Sequence, residues 1–335
     1  MRKYGAMMLR LALLLIATIS LHARPSCEKL TGASLPGVRI LSATPVPSGP
    51  FEIPGGQGRV FAGDVPAFCR VVAVVPPEVR FELWMPDQWN AKLLAVGNGG
   101  LAGTISYGPM LKPLHRGYAT SSTDTGHVAT TTNDGAWALG HYQRIADFAD
   151  RAVHVMAEAD KVILAAYYGD APAHSYFNGC SQGGHEALIE AQRYPGDFDG
   201  IIAGDPANNW TRHYAGGHLW AALAMEGDGY IPPSKVPLLA DAVNQACDAL
   251  DGVKDGVLSD PRRCRFDPAR LLCPGADAPT CFTSAQVQAV NKLWAGLRDA
   301  NGDQIYPGLV PGGEAGPGGW LNWITGPVPG KSAHA

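Results

Sequence analysis

The residues Gly179, Cys180, Ser181, Gln182 and Gly183 match the pattern G-x-S-x-G. In that pattern a serine sits on a tight turn between a strand and a helix, and small residues two positions to either side let the backbone close. A serine hydroxyl is a weak nucleophile until a base takes its proton, and the chemistry it then performs is acyl transfer. Ser175 to Phe177 reads as a short strand. Gln182 to Arg193 reads as a helix, closed by Tyr194, Pro195 and Gly196. Ser181 is therefore the candidate nucleophile. The tetrahedral oxyanion it would create needs preorganised N–H donors. The first is the amide of Gln182, directly after the nucleophile. The second should come from a glycine-rich loop, and the stretch Gly97-Asn98-Gly99-Gly100-Leu101-Ala102-Gly103 offers one, with Gly100 the first choice and Gly99 the next.

These groups must be carried by a sheet. Lys92 to Val96 is an apolar run that reads as a buried strand delivering the glycine-rich loop, and Gly200 to Gly204 reads as another. Tyr118 to Ser122 is a candidate strand between them. Apolar residues from Arg144 to Tyr168 recur at three and four, as in an amphipathic helix. Shorter β-rich runs from Arg59 to Val75 and from Val79 to Trp84 predict an antiparallel sheet ahead of this region. Strands alternating with helices predict a mostly parallel α/β sheet. Beyond Pro206 the alternation fails, and four of the seven cysteines fall there, so residues 208–335 read as an inserted lid on a core spanning 24–207. Trp210, Trp220, Trp294 and Trp320 lie in that region; tryptophans that could line an aromatic pocket more often simply pack, and none is assigned.

Arg2, Lys3 and Arg10 precede an apolar run from Leu11 to Leu21 that ends near Ala23, the pattern of a signal peptide over residues 1–23. The run is shorter than the roughly 20 apolar residues that span a bilayer. A secreted or periplasmic protein, with no membrane partner once the leader is removed, is expected. The whole 335-residue sequence is 46% hydrophobic and 17% charged, with a net charge of −4 and no Lys/Arg-rich run. Nucleic acid is therefore excluded as a partner, and a small molecule is expected; nothing in the sequence sets an oligomeric state. Seven thiols in an oxidising compartment leave one over. Cys27 and Cys69 lie near the start, Cys247 and Cys264 form one close couple, and Cys273 and Cys281 another. Cys180 remains unpaired, and sequence alone leaves the connectivity open.

Five stretches together resemble the tannase and feruloyl esterase family, which also includes the hydrolase of mono(2-hydroxyethyl) terephthalate. They are Val96 to Gly100, Thr123-Asp124-Thr125-Gly126-His127, Gly179 to Gly184, Ala191 to Pro195 with Phe198 to Ile201, and Cys247 to Asp267. The resemblance implies an α/β-hydrolase core with a lid, and a serine esterase working through an acyl-enzyme on aromatic or phenolic acid esters. It also implies that the cysteine before the serine bonds to a cysteine that follows the catalytic histidine. In such folds the order is serine, then acid, then histidine. After Ser181 come only His185, His213, His218 and His334, and none precedes a cysteine. The C-terminal part of lid and core, with the triad acid and histidine, is therefore expected to be missing, the chain being either a fragment or a truncated product. The alternative to an active esterase is a catalytically inactive, calcium-stabilised fragment. A peptidase on the same fold is a third reading.

Calcium enters through the loop from Cys247 to Val257. Asp248, Asp251 and Asp255 bring carboxylates, and Val253 and Val257 bring backbone carbonyls, an oxygen-rich set that suits a hard cation. The spacing is not that of an EF-hand, and composition alone leaves the loop open between a calcium site and solvated Asp-Gly turns. The resemblance implies a structural calcium ion at these positions.

Overall fold

The computed structural model describes residues 25–53, 60–129, 131 and 133–331. The expected leader and His334 lie outside the described residues. A seven-stranded sheet forms the centre, in the order β1-β4-β5-β7-β6-β8-β9. Its strands are β1 (Arg39–Val46), β4 (Phe68–Val75), β5 (Val79–Pro86), β6 (Lys92–Val96), β7 (Ala119–Thr123), β8 (His174–Cys180) and β9 (Gly200–Gly204). A separate hairpin, β2 (Gly49–Ile53) with β3 (Val60–Val65), lies between β1 and β4 in the chain. The pairings β1–β4, β4–β5 and β5–β7 are antiparallel, and β7–β6, β6–β8 and β8–β9 are parallel. The sheet is thus evenly mixed rather than mostly parallel. Of the β-rich runs expected to form an early antiparallel sheet, β3 goes to the separate hairpin, while β4 and β5 join the central sheet as part of its antiparallel half, because β5 pairs with β7 across a gap in sequence that no local pattern reveals.

The strands bury both faces, as an interior sheet must. In β5, Phe81 and Leu83 face a core shared with Met156 and Ile163, while Trp84 faces a second core with Phe68, Met110 and Leu114. The first core is covered by α3 (Ala152–Tyr168) and α4 (Gln182–Arg193), the second by α1 (Tyr107–His115). The helix expected from Arg144 to Tyr168 is in fact α2 (Tyr142–Ala146), one π turn at Asp147–Arg151, and α3 in succession. Because β6, β7, β8 and β9 run parallel, their carboxyl ends share one edge of the sheet. The glycine-rich loop, the Thr123–His127 stretch and Ser181 therefore all emerge at the same end, where open α/β sheets place their ligands.

After β9 the chain becomes helical, through α5 (Trp210–Arg212), α6 (Trp220–Ala224), α7 (Val236–Cys247), α8 (Ser284–Ala295), a short hairpin of β10 (Leu297–Arg298) with β11 (Gln304–Tyr306), and α9 (Trp320–Trp323). It has its own core around Ile231, Leu239, Val243, Phe282, Val290 and Leu293. α8 starts with a full capping box, the Thr283 side chain accepting from the Gln286 amide while the Gln286 side chain accepts from the Thr283 amide. Three disulfides form, Cys27–Cys69, Cys247–Cys264 and Cys273–Cys281. The first ties the start of the described chain to β4. No helix among the described residues is long and apolar enough to cross a membrane.

Acid groups are built into this interior. Asp160 of α3 is fully buried and accepts from the Ser121 hydroxyl of β7. Glu190 of α4 is also fully buried; burial first, and then the negative charges of Asp197, Glu186 and Asp150, push its carboxyl up to about 8. The folded protein therefore holds this proton through the range in which an unfolded glutamate loses it, so stability falls as pH rises from the ordinary glutamate value toward 8. We expect Glu190→Gln to flatten that decline by up to about one proton per molecule. Unfolding midpoints at pH 5, 6.5 and 8 measure this, and parallel pH profiles for the two proteins would count against it. Removing the 42-residue crosslink with Cys27→Ser and Cys69→Ser together should cost about 2–4 kcal/mol. An unchanged denaturant midpoint would contradict that expectation.

Candidate active site

Ser181 stands where the sequence places it, but the strand is longer than the expected Ser175 to Phe177, running from His174 to Cys180, with α4 starting at Gln182. The serine is held at φ 61°, ψ −115°, a left-handed φ that costs a non-glycine residue about 1–3 kcal/mol. Its backbone is fully engaged. The Ser181 N–H donates to the Gly204 carbonyl (3.0 Å), and its own carbonyl accepts from Ala207 (2.9 Å) and His185 (3.1 Å). The turn closes because its glycines touch backbone directly. A Cβ on Gly179 would lie 2.2 Å from the Gly183 carbonyl oxygen, and one on Gly184 would lie 2.5 Å from that of Gly204. Both Ser181 and Cys180 are exposed at the surface.

The glycine-rich loop is docked on this elbow. The Gly97 amide donates to the Asn178 carbonyl (3.0 Å) at the end of β8, and the Gly183 amide donates to the Asn98 carbonyl (2.8 Å). A Cβ on Gly97 would sit 2.5 Å from the Gly183 Cα, so only glycine allows the two segments to meet. The Asn98 side chain donates to the carbonyls of Thr104 (2.9 Å) and Thr123 (2.8 Å). Gly100 follows at φ 56°, a conformation glycine adopts without strain. Around Gly99 there is open space. The loop that carries Gly100 and the helix that starts at Gln182 are thus joined by direct hydrogen bonds. Gln182 opens a twelve-residue helix, whose first amides have no partner within the helix and carry its positive dipole end.

Beneath the loop lies the Thr123–His127 stretch, which the sequence marked without a role. Asp124 accepts from the amides of Arg80 (3.0 Å) and Gly126 (2.8 Å), and burial pushes its carboxyl up to about 7. His127 is buried, stacks on Trp137 with ring centroids 3.7 Å apart, and bonds the Leu101 carbonyl through Nε2 at 3.0 Å. Burial holds its pKa below the ordinary histidine value. Gly103 donates to the Asp124 carbonyl. The stretch is a floor for the loop.

The other histidines are occupied elsewhere. His185 turns Nε2 toward the Ala149 carbonyl at 3.3 Å. His213 bonds the Tyr306 hydroxyl through Nδ1 (3.0 Å) and meets His218 through Nε2 (3.0 Å). Trp210 stacks on Tyr214 and lies edge-on to both His185 and Phe148. Cys180 is the free cysteine among the described residues.

In the acidic loop the carboxylates are turned onto amides. Asp248 accepts from Gly256 across the loop (2.9 Å), Asp251 from Val253 (3.0 Å) and from the Ser259 hydroxyl (2.8 Å), and Asp255 from Val257 (3.0 Å). The donor set suits a hard cation by its chemistry. Among the described residues, however, no three His, Cys, Asp or Glu side chains converge on one point. The Cys247–Cys264 bridge closes the loop.

Comparison with known proteins follows this geometry. An uncharacterized esterase of Xanthomonas campestris pv. campestris is 44% identical over 331 residues, covering 96% of this chain and 56% of that protein. The probable feruloyl esterase B-2 of Aspergillus terreus is 32% identical over 291 residues, covering 84% of this chain and 55% of that protein. The chain thus spans little more than half the length of these curated relatives. The crystal structure of feruloyl esterase B from Aspergillus oryzae superposes with a TM-score of 0.75 at 27% identity, covering 92% of this chain and 62% of that one. Tannin acyl hydrolase from Aspergillus niger shares the fold, with a TM-score of 0.65 at 22% identity, covering 86% of this chain and 59% of that one. Residues 63–335 match the family described as tannase and feruloyl esterase, and the chain belongs to that family.

Proposed function

We propose that this chain carries the nucleophile and oxyanion-binding part of a serine carboxylic ester hydrolase acting on aromatic or phenolic acid esters. The observation that carries this reading is the strained, exposed Ser181 at a strand-to-helix turn, with a glycine-rich loop hydrogen-bonded to the same turn. In the proposed reaction Ser181 Oγ attacks the ester carbonyl, and the amides of Gln182 and Gly100 donate to the developing oxyanion. The alcohol leaves, and water then releases the acid from the acyl-enzyme. The base that takes the Ser181 proton, and the acid that orients it, are assigned to no residue of this chain. The names of the relatives support the substrate class; the Aspergillus terreus and Aspergillus oryzae proteins are called feruloyl esterases. We further propose that residues 208–335 form a lid over the core, and that the protein is secreted or periplasmic, a location that its three disulfides fit.

A second reading is that the chain alone is inactive. The side-chain contacts of His185 with Ala149 and of His213 with Tyr306 and His218 favour it. Hydrolysis of feruloyl or p-nitrophenyl esters by the purified chain separates the two readings. Where turnover is seen, Ser181→Ala should reduce kcat by about a thousandfold or more. A variant that retained the parent rate would overturn the assignment of Ser181.

For the loop from Cys247 to Val257 we propose a structural calcium ion held by the carboxylates of Asp248, Asp251 and Asp255 and the carbonyls of Val253 and Val257. Saturating calcium should raise the melting temperature, and a chelator should reverse the gain. Identical melting curves with calcium and with chelator would remove the ion.

A further inference from the structure

Glu186 lies one turn into α4, directly after the elbow, and its side chain points inward. It is 4% exposed. Its Oε2 accepts from the Asn98 amide at 3.1 Å, 88 residues earlier in the chain. Burying a carboxyl without a cation is costly, and no ion pair reaches Glu186 among the described residues. An apolar side chain would fill the same volume at less cost. What a carboxyl supplies here is an acceptor for the Asn98 amide of the loop. That bond pairs with the reverse one, from the Gly183 amide to the Asn98 carbonyl at 2.8 Å. Asn98 is thereby gripped on both sides of its backbone by the same helix, and its side chain is gripped by Thr104 and Thr123. Glu186 Oε2 also occupies the space a Cβ on Gly97 would need, at 2.9 Å. Burial pushes the carboxyl up to about 8, so it is held mostly neutral at pH 7.

We propose that Glu186 is a positioning residue. It holds the turn from Gly97 to Gly100 in register with the Gln182 amide, and so sets the spacing of the two donors assigned to the oxyanion. The role rests on the serine hydrolase reading above, whereas the tether itself does not.

Two variants separate acceptor from filler. Glu186→Gln keeps a carbonyl acceptor, and Glu186→Leu keeps the bulk and removes it. Hydrogen exchange of the purified chain, followed in a peptide covering residues 97–103, is the deciding readout because it needs no turnover. We expect Glu186→Leu to speed exchange in this peptide by about tenfold or more, the loss of one buried hydrogen bond, with peptides from α3 and β5 unchanged. Glu186→Gln should restore the parent rate. Unchanged exchange at 97–103 in Glu186→Leu would overturn the tether. So would an increase spread evenly over the protein, which marks general destabilisation. Should Glu186→Leu fail to fold, Glu186→Asp, which withdraws the carboxyl by one methylene, carries the same readouts. With ester turnover as a second measure, kcat should fall in Glu186→Leu at little changed KM, and Glu186→Gln should recover it. A loosened loop together with turnover indifferent to Ser181→Ala would uphold the tether and refute the serine hydrolase reading.

Discussion

The site depends on a contact between backbones. Gly97, Gly179 and Gly183 meet where a Cβ on Gly97 or Gly179 would collide with main-chain atoms, at 2.5 Å and 2.2 Å, and one on Gly183 would be tight against them at 3.0 Å. Removing side chains brings the end of β6, the end of β8 and the first turn of α4 into direct hydrogen bonding. Once they are joined, the position of the glycine-rich loop relative to Ser181 is no longer a matter of loop flexibility. It becomes a property of the sheet. The parallel register of β6 with β8, in which Val96 lies beside Asn178, sets where the two chain segments leave the sheet, and the glycines let them converge.

Strain and burial are spent around the same point. Ser181 adopts a positive φ that an L-residue avoids, and three backbone hydrogen bonds from three different segments hold it there. Below it, Glu186, Glu190 and Asp124 are carboxyls in a medium that disfavours their charge. Such groups lower stability at neutral pH relative to apolar replacements. The compensation is directional. Asp124 accepts two amides and Glu186 accepts the amide of Asn98, so each holds a backbone segment that apolar packing alone would leave unregistered. This is the pattern of a site positioned by polar anchors within a core that supplies the stability.

The helical region after β9 is stabilised in a different way. Its core is smaller, and two of the three disulfides close short loops of it, with sequence separations of 17 and 8 residues. Short crosslinks constrain local loops more than they constrain the fold. They suit segments such as 248–260, where 3-10 turns and Asp-capped amides replace long helices. The Trp210 cluster, with Tyr214 and the bonded pair of His213 and His218, of which His213 also bonds Tyr306, lies at the start of this region, beyond the loop that leaves β9.

Much of the local structure was legible in the residues themselves. The G-x-S-x-G spacing, the apolar run before Gly97 and the periodicity of residues 182–193 are short-range patterns, and β6, β7, β8, β9 and α4 follow them closely. The three cysteine couples were legible too, and each forms a disulfide. Other features were decided by tertiary structure. β1 and the pairing of β5 with β7 make the sheet mixed, and no local signal announces a partner forty residues away. The role of Asn98 was equally hidden, since its four anchoring contacts come from residues scattered between 104 and 186. Glu186 reads in the sequence as an ordinary helical glutamate. Only folding, which brings it to the Asn98 amide 88 residues earlier in the chain, makes it part of the site.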